Sequence, residues 1–344
     1  MKHIALSIGI LLLAASAPVV AQNEPEQLAS VQGLPADALE PSIEEVVVSG
    51  EHPGPELWKV SKGDHVLWIM GTLTPLPEKM TWRSKQVEAV IASSQEVITT
   101  TSVEADIGFF QGITLLPSVI GVRKSPEDAT LEQLLPADLY ARWQVLKTKY
   151  IGKDSGIEKW RPIFAAQELY SKALKKSDLT YSGIVWPVVK KIAKKNDVKI
   201  TTPELMVEID KPRAAIKEFK KSSLDDIECF AKTLERLETD LDAMRLRANA
   251  WAVGDIAALQ RLPPPDQRGA CLTAVMNSQI VQDRGYQDMP ERVAAVWMQA
   301  AETALDKNAS TFAILSIGDM LSPDGYLAKF QAKGYVVEAP THGG

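Results

Sequence analysis

Apolar positions fall into two short runs, at residues 57–60 and 66–70, separated by the polar stretch Ser61-Lys62-Gly63-Asp64. Runs of that length around a glycine-containing turn predict a β-hairpin, with Gly63 free to take a positive φ. The second strand empties into Gly71-Thr72-Leu73-Thr74, and Pro75 and Pro77 forbid an immediate helix. A glycine at the end of a buried strand lets backbone and ligand approach closely, so an α/β site is expected here.

The pattern then alternates. Val87, Val90 and Ile91 recur at helical spacing within residues 84–94, and residues 97–101 are a β-branched run that predicts a strand. Residues 127–176 read as helical, with Leu131, Leu134, Leu135, Leu139, Trp143, Leu146, Trp160, Phe164 and Leu169 as the apolar set. Val185, Val189 and Ile192 form a core-facing stripe opposite Lys190, Lys191, Lys194 and Lys195. These four belong to eight lysines between Lys172 and Lys199, read as a solvated face, with anionic glycans or lipid headgroups as the alternative partners. A strand follows at 198–202.

The longest helical signal starts at Ser223, read as an N-cap with Asp226 three residues on. Ile227, Phe230, Leu234, Leu237, Leu241, Met244, Ala248 and Trp251 then trace a heptad seam up to a stop at Gly254-Asp255. An intrachain helix pair is the preferred reading, with a homodimer through 227–251 as the alternative. Residues 262–265 mark a loop, and Pro290 opens a helix over 291–305. An apolar run of strand length covers 311–317, a helix 323–333 ends at Gly334, and a strand covers 335–337. The predicted class is α/β, with a mixed β-sheet built from the N-terminal hairpin and C-terminal strands and a large helical insert at about 127–305.

Composition changes the picture mainly at the N-terminus. Lys2 and His3 precede an apolar stretch at 4–20 that ends in small residues, which predicts a cleavable signal peptide at 1–21 and a periplasmic or secreted protein with no transmembrane segment after cleavage. Residues 22–56 carry eight acids and no Lys or Arg, and are expected to be a disordered acidic tail or linker. Removing those acids and Lys2 from the net charge of −6 leaves +1 for residues 57–344, so nothing recommends nucleic acid as a partner. Two cysteines in an exported chain, Cys229 and Cys271, predict one disulfide. The four histidines, His3, His52, His65 and His342, lie far from both in sequence.

Leu57-Trp58, followed by Trp68-Ile69-Met70-Gly71-Thr72-Leu73-Thr74, resembles the opening motif of the TraB/GumN family, which is related to the Tiki proteins and the EreA/ChaN-like fold. Ala250-Trp251 with Gly254-Asp255, Glu291-Arg292 and the junction 316–325 resemble later family motifs, so the likeness spans 57–340. In the Tiki branch, two Gly-x-x-His elements with nearby acids imply a divalent metal for peptide hydrolysis. Here Thr74 stands for the first histidine, Asp319 for the second, Ser316 for the second motif's leading glycine, Thr100 for a strand-end acid, and Val293 for an asparagine. A catalytic zinc site takes three side chains from His, Asp, Glu or Cys, and only Asp319 qualifies among those positions, with Glu104 outside the alignment.

The expectation is therefore a catalytically degenerate member, more a non-enzyme than an enzyme, acting in the cell envelope on an unidentified protein, peptide or glycan. No cofactor is expected. Two alternatives stand open: a hydrolase with ligands rearranged from Asp319, Glu104 and Arg292 around a metal such as Mn or Co, and an accessory factor in exopolysaccharide production. The cleft candidates are Gly71, Thr72, Thr74, Thr100, Arg292, Gly318 and Asp319, with Asp319 as the one weak metal ligand.

Overall fold

A computed structural model describes residues 54–82, 85–106, 109–181, 183–262 and 267–340. The signal peptide expected at 1–21, the acidic tail expected at 22–56 as far as residue 53, and residues 263–266 lie outside the described residues. Ten strands are described: β1 (Leu57–Lys62), β2 (His65–Thr72), β3 (Leu76–Pro77), β4 (Glu96–Ile98), β5 (Ser102–Ala105), β6 (Leu179–Thr180), β7 (Lys199–Thr201), β8 (Glu204–Val207), β9 (Ser310–Ser316) and β10 (Val336–Glu338).

Six of them form one mixed sheet in the order β10-β1-β2-β9-β4-β7, and the others make two small two-stranded pairs, β3 with β6 and β5 with β8. The predicted hairpin is β1 and β2, joined at Gly63, whose φ is 61°. Strand β1 is antiparallel to both β2 and β10, while β2, β9, β4 and β7 run parallel. All five residues from Thr311 to Leu315 are buried, as befits a largely apolar strand covered on both faces. The helices Lys85–Ser93 and Met289–Lys307 both pack on it.

Two large hydrophobic clusters fill most of the interior, and a small third one gathers Leu205, Val207 and Met289. Of the large two, one surrounds the main sheet and takes in Ile69, Val97, Phe312, Trp251 and Trp297; the other lies among the helices Ala137–Tyr150, Pro162–Lys176 and Ile227–Thr239, with Trp143, Leu169 and Phe230 at its centre. None of the described helices is long and apolar enough to cross a membrane.

Three expectations change. The heptad seam is not one helix: Ile227–Thr239 and Leu241–Ala252 are separate, hinged at Asp240. The Asp240 carboxylate accepts from Arg247 and lies 3.4 Å from Arg236, which ties down the hinge by charge. The seam is also buried inside the chain, since Phe230, Leu234, Leu237, Met244, Ala248 and Trp251 are all in one or other cluster. Ser223 does not cap the helix; Asp226 precedes it, and its carboxylate instead accepts from the Ile163 backbone N–H at 2.8 Å. Finally, the strand expected at 97–101 ends at Ile98, because the Thr99 hydroxyl turns to Thr202 (2.9 Å) and the chain leaves the sheet to pair β5 with β8.

Candidate functional site

Parallel strands β2, β9, β4 and β7 deliver their carboxyl ends to one edge of the sheet, where an open α/β sheet holds its ligands. Register places Thr72 beside Ser316 and Ile98 beside both Ala313 and Thr201. Thr72 and Ser316 stand at the strand ends themselves, and the chain just past those ends carries Thr74, Thr99, Thr100, Thr101 and Thr202.

The Gly71-Thr72 turn is fixed from two sides. Trp251 donates its indole N–H to the Gly71 carbonyl at 2.7 Å, and the Thr72 hydroxyl donates to the Leu315 carbonyl at 2.9 Å. A methyl on Gly71 would stand 2.9 Å from Ile317 Cγ1 and 3.1 Å from Met320 Cε. Gly71 is thus closely approached by the side chains of the helix Ile317–Leu321, where a ligand was expected. Asp255, the last residue of the Trp251 motif, accepts from the Ala258 N–H at 2.8 Å and caps the helix Ile256–Arg261.

Asp319 sits half-buried on the helix Ile317–Leu321, and its Oδ2 accepts from Arg268 Nη2 at 3.1 Å. Arg268 Nη1 reaches only 3.5 Å from Ser316 Oγ, a weak contact. Arg268 lies on the helix Gln267–Met276, which three links hold to the helix Ile227–Thr239. These are the Cys229–Cys271 disulfide, with Cα atoms 4.4 Å apart, and the bonds from Arg236 Nη1 to Gln267 Oε1 (2.7 Å) and from Gln267 Nε2 to Thr233 Oγ1 (3.1 Å). Burial, together with the nearby Asp319 carboxylate, pushes the Tyr326 hydroxyl up to about 12, so the phenol stays protonated at neutral pH. Asp319 and Tyr326 also line a cavity of about 520 Å³ between the helices Met289–Lys307 and Tyr326–Ala332.

The remaining candidates take no part in the Asp319–Arg268 pair. Thr74, Thr100 and Gly318 are exposed. Arg292 stays on its own helix, with Nη1 3.6 Å from Met289 Sδ and 3.9 Å from Asp288. Glu104 lies on β5 and accepts from the Ser102 hydroxyl at 2.6 Å. His65 sits in β2 with Nδ1 2.7 Å from the Leu305 carbonyl, a structural contact at the far end of the strand. Next to the site, Trp297 donates to the Thr99 carbonyl at 2.9 Å, and the Thr101 hydroxyl donates to the Val293 carbonyl at 3.1 Å. The position where the family motif has asparagine thus still touches the edge, through its backbone.

Sequence reasoning missed Arg268. Nothing in a motif marks it; the one signal was its place three residues before Cys271, a cysteine already expected in a disulfide. Among the described residues, no three of His, Cys, Asp and Glu gather where they can hold one metal ion. The donors at the edge are neutral hydroxyls and a carboxylate already matched to a guanidinium, a set that does not fit a divalent metal. The TraB/PrgY/gumN family model matches residues 56–339 of the chain. No curated protein and no solved structure matches it.

Proposed function

We propose that this chain, which belongs to the TraB/PrgY/gumN family, is an exported binding protein of the cell envelope rather than a metal-dependent hydrolase. One observation carries the reading: Asp319, the only carboxylate among the positions aligned with the family's metal-site residues, is paired with Arg268 at 3.1 Å. A metal ion at that carboxylate would face a fixed guanidinium charge, and the neighbouring Thr72, Thr74, Thr100 and Ser316 are weak, neutral ligands for such an ion. The same residues suit recognition. Hydroxyls, one cation and one anion on a rigid strand edge bind a polar ligand by hydrogen bonds without activating water. Export is supported by the apolar leader at 4–20 and by the Cys229–Cys271 pair, which persists in an oxidising compartment.

Calorimetric titration with Mn²⁺ and Co²⁺ tests the reading. No stoichiometric binding is expected, and no peptidase activity above background in the presence of either ion. Thr74→His, Thr100→Glu and Asp319→His together should raise metal affinity measurably, because they restore three ligands to the edge. Tight binding by the unaltered protein, weakened by Asp319→Ala, overturns the proposal in favour of a rearranged metal site.

A further inference from the structure

The helix Val185–Lys195 turns Val185, Val189 and Ala193 into the sheet cluster and leaves Lys190, Lys191, Lys194 and Lys195 exposed on the outside. Its sequence, VWPVVKKIAKK, contains no acid. Among the described residues, none of these four lysines takes part in an ion pair, whereas Lys172 has Glu168 and Lys199 has Glu96. Four like charges within two turns repel one another, so this face attracts an anionic partner. The chain carries such a partner itself. Residues 22–53 hold seven acids, Glu24, Glu26, Asp37, Glu40, Glu44, Glu45 and Glu51, and no Lys or Arg.

The point where that segment joins the fold is also defined. The Gly54 N–H donates to the Ala252 carbonyl at 2.9 Å, and β1 begins three residues later beside the carboxyl end of β2. A chain of this length, extended, reaches roughly 100 Å, several times the length of an 11-residue helix, about 16 Å. Covalent attachment gives it an effective concentration in the millimolar range, enough for weak opposite charges to associate.

We propose that the acidic segment 22–53 docks on the exposed lysine face of the helix Val185–Lys195, so that the protein covers its own basic surface by charge complementarity. The attraction is between seven carboxylates and four ammonium groups, so it rests on charge and on no single pair. It weakens with salt, since the Debye length falls from about 10 Å at 0.1 M to about 3 Å at 1 M.

Zero-length carbodiimide coupling of the full chain, mapped by mass spectrometry, tests this. At low salt the acids between 24 and 51 should couple to Lys190, Lys191, Lys194 and Lys195 several-fold more than to Lys217, Lys220 and Lys221, a second basic run on the helix Pro212–Lys221. The preference should vanish at about 1 M salt. Replacing the four lysines with glutamine should speed limited proteolysis within 22–53 several-fold, while far-ultraviolet circular dichroism stays unchanged. Coupling spread evenly over exposed lysines, coupling concentrated on the helix Pro212–Lys221, or an unaltered cleavage rate in the four-lysine variant overturns it. So does binding of vesicles rich in anionic lipid that is equally tight with and without residues 22–50, since a docked tail must compete for that face.

Discussion

Trp251 and Gly71 are 180 residues apart in sequence, and one indole N–H joins them at 2.7 Å. Both are buried, so the Gly71 carbonyl has no water to replace that donor if it is lost. Trp251→Phe keeps an aromatic ring and removes the hydrogen bond, and should lower unfolding stability by about 1–3 kcal/mol in urea titration. An unchanged midpoint would mean the carbonyl finds another partner. Asp226 offers a prediction with a pH window. Burial pushes its carboxyl up to about 6 from an ordinary aspartate value, against the pull of the Ile163 N–H and of Arg161. A carboxyl whose folded pKa lies above its unfolded one is favoured neutral by the fold. Its stabilising contribution is therefore present below about pH 4 and lost as pH rises through about 6. Asp226→Asn, which keeps an acceptor for Ile163, should accordingly gain on the unaltered protein as pH goes from 4 to 7. Parallel stability curves for the two proteins over that range would refute it.

At the scale of elements, the disulfide does more than close a loop. It clamps the helix Gln267–Met276 to the helix Ile227–Thr239, and thereby holds Arg268 against Asp319. For a sequence separation of 42, chain entropy predicts a loss of about 4 kcal/mol when Cys229→Ser and Cys271→Ser are combined. Amide exchange in the helix Gln267–Met276 should rise more than elsewhere, and uniform loosening would argue against the clamp. The elements themselves were largely legible. Hairpin, central strand and closing helix follow from apolar periods that tertiary packing reinforces, as at Thr311–Leu315. What was not legible depends on distant partners. The break at Asp240 arises from Arg236 and Arg247, and the early end of β4 arises from a hydroxyl bond between Thr99 and Thr202. The site split the same way. Motif spacing located Gly71, Thr72 and Asp319, but the cation that neutralises Asp319 comes from a helix about 50 residues upstream, and no local pattern announces it.

Across the molecule, the two large hydrophobic clusters share one chain, and Leu169 belongs to one while Ile69 belongs to the other. Leu169→Ala and Ile69→Ala should each cost about 2–5 kcal/mol. Because they share no cluster, the double variant should lose the sum within about 0.5 kcal/mol. A coupling energy well beyond that would show that the sheet and the helical layer respond as one body. The order of the main sheet adds a constraint on when that body comes into being. Strand β9 lies between β2 and β4, and so joins the hairpin to the other parallel strands. It is also the second-last strand along the chain, some 240 residues after the partner it pairs with in β2. During synthesis, the hairpin and β4 emerge long before the strand that unites them, and they have no sheet to join until residue 316 has left the ribosome. The main sheet is therefore among the last parts of the protein to be completed, whereas the helical cluster between Leu131 and Met244 has its whole sequence available much earlier.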